Sequence, residues 1–180
     1  MPGDEERNGR TLPDGGPDVI DGTGTFWETL GCVLEEAGPD GVTVSLAVEP
    51  RHLNHLGILH GGVYASVIDS AMGIAAMRER PGGRIVTVQL GLHYTAPVRS
   101  GKLIVTAKIL HASRSQITAR AYARKENGEL CAYGTGSFRV LGPRPPTGGS
   151  GFFGPAERAE PAEPSGPSDC QAAHHDIQPR

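Results

Sequence analysis

NHLGILHGGVYASVID, residues 54–69, is a glycine-punctuated loop that runs into a helix almost bare of charge. From position 61 to position 77 (GGVYASVIDSAMGIAAM) Asp69 is the one formally charged side chain. At about 100° per residue the apolar positions cover nearly the whole circumference, which predicts a helix buried on most sides. Asp69 shares its side with Ala65, Met72, Gly73 and Ala76, all apolar or small. A carboxylate placed there loses hydration unless it finds partners, so it is costly to keep without a use. Two readings stand at this level. Asp69 is either a functional carboxylate or a structural one held by a donor such as Ser66.

Outward from the helix the pattern is simple. Upstream, 26–30 (FWETL) is a short helical turn, and 32–36 and 42–48 are strands joined by AGPDG. In the second strand Val42, Val44, Leu46 and Val48 alternate with Thr43, Ser45 and Ala47, the period of a half-buried strand. Downstream, PGG at 81–83 ends the helix, and β-like runs follow at 84–94, 102–111, 116–125 and 130–140. Asn127-Gly128 between the last two is a hairpin signal. Two strands, one long helix and four more strands with short connections predict an α+β fold, a curved antiparallel sheet wrapped around one central helix. Such a sheet leaves its edges and part of the helix uncovered. We therefore expect a homodimer at least, with a dimer of dimers as the fuller assembly.

A chain of 180 residues that is 37% hydrophobic has room for one domain with a sizeable core. Residues 1–24 and 142–180 are dominated by Gly, Pro and charged or small residues without periodicity. We read them as disordered tails flanking a folded unit at 25–141. A chain trimmed to 25–141 is expected to keep its fold and activity. A large fall in Tm on removing the C-terminal segment would show instead that it packs on the domain. Net charge −3 gives no footprint for nucleic acid, and no basic run points to a membrane surface. The central apolar segment is too short for a membrane span and is broken by Asp69. The N-terminus MPGDEERNGR lacks an apolar core, so no secretory signal is expected and cytoplasm is the expected compartment. Cys32, Cys131 and Cys170 form an odd set with no CxxC spacing, which predicts neither a disulfide framework nor a zinc site.

The order of elements, with Asn54, Gly57, His60, Gly61 and Gly62 followed by Asp69, resembles the hotdog-fold acyl-CoA thioesterases of the phenylacetate-pathway (PaaI-like) branch. The likeness extends through VTVQLGLHYTAP at 86–97 and covers roughly residues 26–141. It implies thioester hydrolysis, an acyl-CoA substrate and no cofactor or metal. It also implies roles. Gly61 would offer its backbone N–H to the thioester carbonyl, and Asn54 would help polarise that oxygen. Asp69 would be general base or nucleophile, and Thr87 would help position water. His60 would shape the turn. His60, Gly62, Ser66, Leu90 and Arg84 complete the residues expected around the substrate.

Physical chemistry points the same way. Thioester hydrolysis puts negative charge on the carbonyl oxygen, and the first turn of a helix offers unpaired N–H groups at the positive end of its dipole. One such donor is worth about 3 kcal/mol. A carboxylate desolvated among Ala and Met has a raised pKa and greater basicity. The rival readings are a carrier-protein thioesterase and a non-catalytic acyl-CoA-binding protein of the same fold.

Other candidates carry less. His52 and His55 are read as loop histidines, since no third metal ligand is placed, and the His174-His175 pair as solvated tail. His93 is expected as a packed or pocket-wall residue, and Cys32 and Cys131 as small core residues. Arg78, Arg80, Arg84 and Arg99 are either contacts for the phosphates of coenzyme A or solvated surface. Tyr64, Ile68, Met72 and Leu90 are the side chains expected to set the size of the acyl pocket.

Overall fold

The structure, a computed structural model, describes residues 22–142. Most of both expected tails, with Cys170 and His174-His175, lies outside those residues. In chain order the elements are α1 (Phe26–Leu30), β1 (Cys32–Gly38), β2 (Gly41–Ala47), α2 (Gly61–Glu79), β3 (Arg84–Tyr94), β4 (Lys102–Ala112), β5 (Gln116–Lys125) and β6 (Leu130–Leu141). The strands form one antiparallel sheet in the order β1-β2-β4-β5-β6-β3. The long helix α2 packs on β2, β3, β4, β5 and β6. This is the α+β arrangement that the pattern of apolar runs predicts.

Most boundaries fall within a residue or two of expectation. The first hairpin is tighter than AGPDG suggested, because β1 continues to Gly38 and pairs with Gly41 across Pro39-Asp40. Gly41 has φ +131°, and a Cβ there would lie 2.5 Å from the Ala107 carbonyl oxygen, so only glycine fits. Unforeseen was a short 3₁₀ turn at Pro50–His52. It buries His52 to 2% exposure, with Nδ1 accepting the Glu49 N–H at 3.1 Å. His52 is therefore a structural residue of this turn.

The core lies between α2 and the sheet. Val67, Ile68, Ala71, Met72 and Ala76 of the helix are fully buried. Beneath them the sheet is lined by small residues, with Ala119, Ala121 and Ala123 on β5 and Ala132, Gly134 and Gly136 on β6. These let the helix sit close. A Cβ on Gly136 would come 2.9 Å from Met72 Cε and 3.1 Å from Phe138 Cε2, so both side chains would have to shift to make room. Larger side chains (Val44, Leu46, Leu103, Val105, Ile117, Phe138) close the core around that small-residue floor. Cys32 and Cys131 are buried free thiols, and desolvation lifts the Cys32 pKa to about 11. As expected, they serve as small core residues.

β3 departs from simple alternation. Its pairing with β6 shifts register between Thr87 and Gln89, leaving Val88 as an extra residue. From Gln89 to Tyr94 the strand keeps one parity: Leu90 and Leu92 lie opposite Gly136 and Gly134 on the core side, and Gln89 and His93 lie opposite Ser137 and Tyr133 on the outer side. Before the bulge the parity reverses, and Thr87 lies opposite the buried Phe138. A one-residue insertion turns the strand's faces over in this way.

Candidate active site

The bulge brings Thr87 to Asp69. The threonine hydroxyl donates to Asp69 Oδ1 at 3.0 Å, tying the middle of α2 to β3. Thr87 is exposed and Asp69 half-buried, so the pair stands at the open edge of the sheet. Desolvation raises the Asp69 pKa above its ordinary value of 3.8, and the Thr87 hydrogen bond pulls the other way and offsets only part of the rise. Ser66 does not hold the carboxylate, as one reading of the helix allowed. Its hydroxyl donates to the Gly62 carbonyl 2.8 Å away, one turn back along the helix.

The start of α2 is a second cluster. His60 is the N-cap, and its Nδ1 accepts the Gly62 N–H at 2.9 Å. Val63 and Tyr64 donate their N–H groups to the His60 carbonyl. Among the described residues that leaves the Gly61 N–H as the first-turn donor without an acceptor. The paired glycines therefore have different reasons to be glycine. A Cβ on Gly62 would lie 3.0 Å from His60 Nδ1 and crowd the cap. A Cβ on Gly61 would meet only Tyr94, at 3.4–3.7 Å, which is ordinary contact. Nothing among the described residues demands glycine at 61.

The loop before the helix is braced against the end of β3 and the segment that follows it. Tyr94 Oη donates to the Gly61 carbonyl at 3.1 Å and its ring meets that of Tyr64 edge-on. The Leu59 N–H donates to the Val98 carbonyl at 2.7 Å, and Arg99 reaches the Leu56 and Gly57 carbonyls. Asn54 Oδ1 accepts from the N–H groups of Leu56 and Ile58, and Gly57 turns the loop at φ +66°. With Oδ1 turned into the loop, the amide NH₂ is the end that remains to donate.

Within one chain, then, Asp69 and Thr87 meet, His60, Gly61 and Gly62 form the helix start, and Asn54 stands in the loop that leads to it. The two groups are eight residues apart on one unbroken helix, about 12 Å along its axis. Leu90 is half-buried on the core side of β3, two strand positions past the bulge. Arg84 is exposed at the beginning of β3. Of the other arginines, Arg99 braces the loop, and Arg80 binds the Ser113 and Glu79 carbonyls. Tyr64 and Met72 are core residues rather than open pocket wall, and the Tyr64 hydroxyl is bonded to the Ala96 carbonyl. His93 lies on the outer face, packed against Tyr133 with ring centres 4.9 Å apart. The bracing roles of Tyr94 and Arg99 and the Val88 bulge had no signal in the sequence, because each acts through a contact made only on folding.

Comparison with known proteins fits this fold. Residues 56–132 match the sequence model of the Thioesterase superfamily. Rv1847 of Mycobacterium tuberculosis is 35% identical over 104 residues, 56% of this chain and 74% of that one. Acyl-coenzyme A thioesterase 13 of Mus musculus is 33% identical over 103 residues, again 56% of this chain and 74% of its own. Among solved structures, the BH2602 protein of Bacillus halodurans with CoA is 37% identical, with TM-score 0.53 over 54% of this chain and 70% of that one. A mutant of the phenylacetic acid degradation protein PaaI of Thermus thermophilus is 28% identical, with TM-score 0.60 over 64% of this chain and 98% of that one.

Proposed function

Since this chain belongs to the thioesterase superfamily and is a thioester hydrolase of the hotdog fold, we propose that it hydrolyses an acyl-CoA, with water, to a free acid and CoA. The observation that carries the reading is a half-buried carboxylate with a raised pKa, fixed by the Thr87 hydroxyl at the open edge of the sheet. The names of its relatives favour coenzyme A over a carrier protein as the acyl carrier.

In this reading Asp69 is the general base. Thr87 holds Oδ1, and Oδ2 takes a proton as water attacks the thioester carbonyl. The oxyanion so formed is held by the Gly61 N–H and the Asn54 amide. When the tetrahedral intermediate collapses, the C–S bond breaks and the proton on Asp69 passes to the departing thiolate. His60 works through the turn, by capping the helix and leaving the Gly61 N–H free to act. Gly62 makes room for that cap, and Ser66, Leu90 and Arg84 border the substrate's path.

Both halves of this machinery are needed at one carbonyl, yet about 12 Å separates them along α2. A base must come within about 3 Å of the proton it removes. We therefore place the site between two copies, Asp69 and Thr87 from one and Asn54 and Gly61 from the other. β3 is the strand that joins them. It is an edge strand of eleven residues whose outer rim is unpaired and whose Val86 and Val88 are 40% and 56% exposed. Such an edge invites antiparallel pairing with its own copy, and a dimer of dimers is compatible with the same edge. No described helix is long and apolar enough to cross a membrane, and we place the enzyme in the cytoplasm.

The direct test is thiol release over a panel of aryl, short-chain and long-chain acyl-CoAs, with an acyl carrier protein thioester in parallel. Turnover of a CoA ester supports the proposal. Binding of acyl-CoA without turnover would make the protein a sensor, and turnover of the carrier ester alone would move the substrate class.

Gly61 supplies a sharper local test. Gly61→Ala should fold as well as the parent or slightly better, because alanine suits a helix and its methyl meets only ordinary contacts. A methyl beside the proposed oxyanion donor should nonetheless cut kcat/KM on the order of tenfold to a hundredfold. Full activity in a well-folded Ala variant would mean that no carbonyl approaches this backbone.

A further inference from the structure

The outer face of the sheet, opposite α2, holds a feature that thioester hydrolysis does not use. Lys108 on β4 and Arg120 on β5 are directly opposed in the strand register, both exposed. Directly opposed like charges on neighbouring strands repel across about 5 Å between Cβ atoms. Among the described residues neither is relieved by an ion pair, since the carboxylates seen in ion pairs engage Arg51, Arg80, Lys102 and Lys125 instead. Asp40 and Glu79 line a neighbouring cleft that Lys108 also borders, without an ion pair to it.

The two cations line a hollow of about 120 Å³ whose remaining walls are Thr106 and Tyr122, themselves opposite one another in register. Two basic and two hydroxyl-bearing residues therefore border one small space. Arg120 is not loose there. Its guanidinium lies 5.7 Å from the Tyr122 ring centre, Arg124 lies 5.9 Å from the same ring, and the ring is stacked in turn on Tyr133. Such cation–π seating holds the guanidinium fork in place before any ligand arrives. The volume is well below the ~300 Å³ at which pockets begin to enclose whole drug-sized molecules. It suits a single compact anionic group with several acceptor oxygens.

We propose that the hollow of Thr106, Lys108, Arg120 and Tyr122 is an anion site that takes a phosphoryl group. A guanidinium fork and an ammonium side by side match the several oxygens of a phosphate better than the two of a carboxylate. A bound phosphoryl group would also offset the Lys108–Arg120 repulsion, which no ion pair among the described residues relieves. A second copy of this chain is the poorer occupant, because under two-fold symmetry it would bring the same cations to the same face. The site is on the far side of the sheet from Asp69 and does not depend on the catalytic reading.

The test is a titration of the full chain at low ionic strength with pyrophosphate, with adenosine 3′,5′-bisphosphate, and with acetate at matched ionic strength, read by calorimetry and by Tm. Saturable binding of pyrophosphate with a rise in Tm, and none with acetate, is expected. Adenosine bisphosphate binding more tightly than pyrophosphate would identify a nucleotide as the source of the phosphoryl group, and equal affinity a free phosphate. The Lys108→Gln/Arg120→Gln double variant should lose at least about tenfold in affinity, the worth of one charge-assisted bond. Without any anion it should melt no lower than the parent, because the repulsion is gone. Asp69→Asn should bind as the parent does. Absence of saturable binding, affinity unchanged in the double variant, or a lower anion-free Tm in that variant would each overturn the site. So would a change in the double variant's oligomeric mass with the anion effect intact, which would assign the face to contact between copies.

Discussion

Asp69→Asn is expected to yield a folded protein that has lost at least about a hundredfold in kcat, the scale for removing a positioned general base. Asparagine keeps the shape of the side chain and can still accept from the Thr87 hydroxyl, so the contact at 3.0 Å need not be lost. What goes is the proton acceptor. The pH profile should carry the same signature. Because burial raises the Asp69 pKa above 3.8, the acid limb of kcat/KM in the parent should fall at a pH above that of an ordinary aspartate. Stability should move the opposite way from activity. A folded-state pKa above the unfolded one means that ionised Asp69 weighs against the folded state at any pH above the raised value. Asn never ionises, so the variant should melt higher than the parent at neutral pH. The gap should close as the pH falls below the ordinary aspartate range, where Asp69 is protonated in both states. A folded Asn variant with retained turnover would remove Asp69 from the chemistry and revive the binding-protein reading.

The second large effect is expected from mixing two inactive variants. Asn54→Ala and Asp69→Asn homodimers should each be nearly inactive. Unfolded together and refolded in equal amounts, about half of the dimers should be mixed. In a mixed dimer one site receives both lesions and the other receives neither. One intact site in half of the dimers restores about a quarter of parental activity. The expectation rests on the length of α2, which runs unbroken from Gly61 to Glu79 and so keeps the helix start and Asp69 apart within a chain. Mixed dimers seen by mass spectrometry with no recovery of activity would put all four residues in one chain, and the site between copies would be wrong.

The two variants also show what each level of description contributes. Asp69 stands out in the bare sequence because charge is rare in a helix apolar all round, and burial makes an unused carboxylate costly. The glycine pair stands out for a similar reason, since glycine weakens a helix and needs a cause. Only the folded chain separates the two causes. Gly62 serves the His60 cap, and Gly61 has no cause among the described residues.

Alternation and helical period are local properties of the chain. They sufficed for the buried helix, the six strands, the Asn127-Gly128 hairpin and the core face of β2. They could not reveal that Thr87 faces Asp69. Strict alternation along β3 sets Thr87 on the same face as Gln89 and His93, away from the helix. The extra residue at Val88 reverses that face, and the bulge exists only in the pairing of β3 with β6. Tyr94 over Gly61, Arg99 on the Asn54 loop and Lys108 opposite Arg120 are of the same kind. Each is a meeting of residues far apart in the chain, set by strand register and helix placement. Period carries no information about such meetings, so tertiary structure alone decided them.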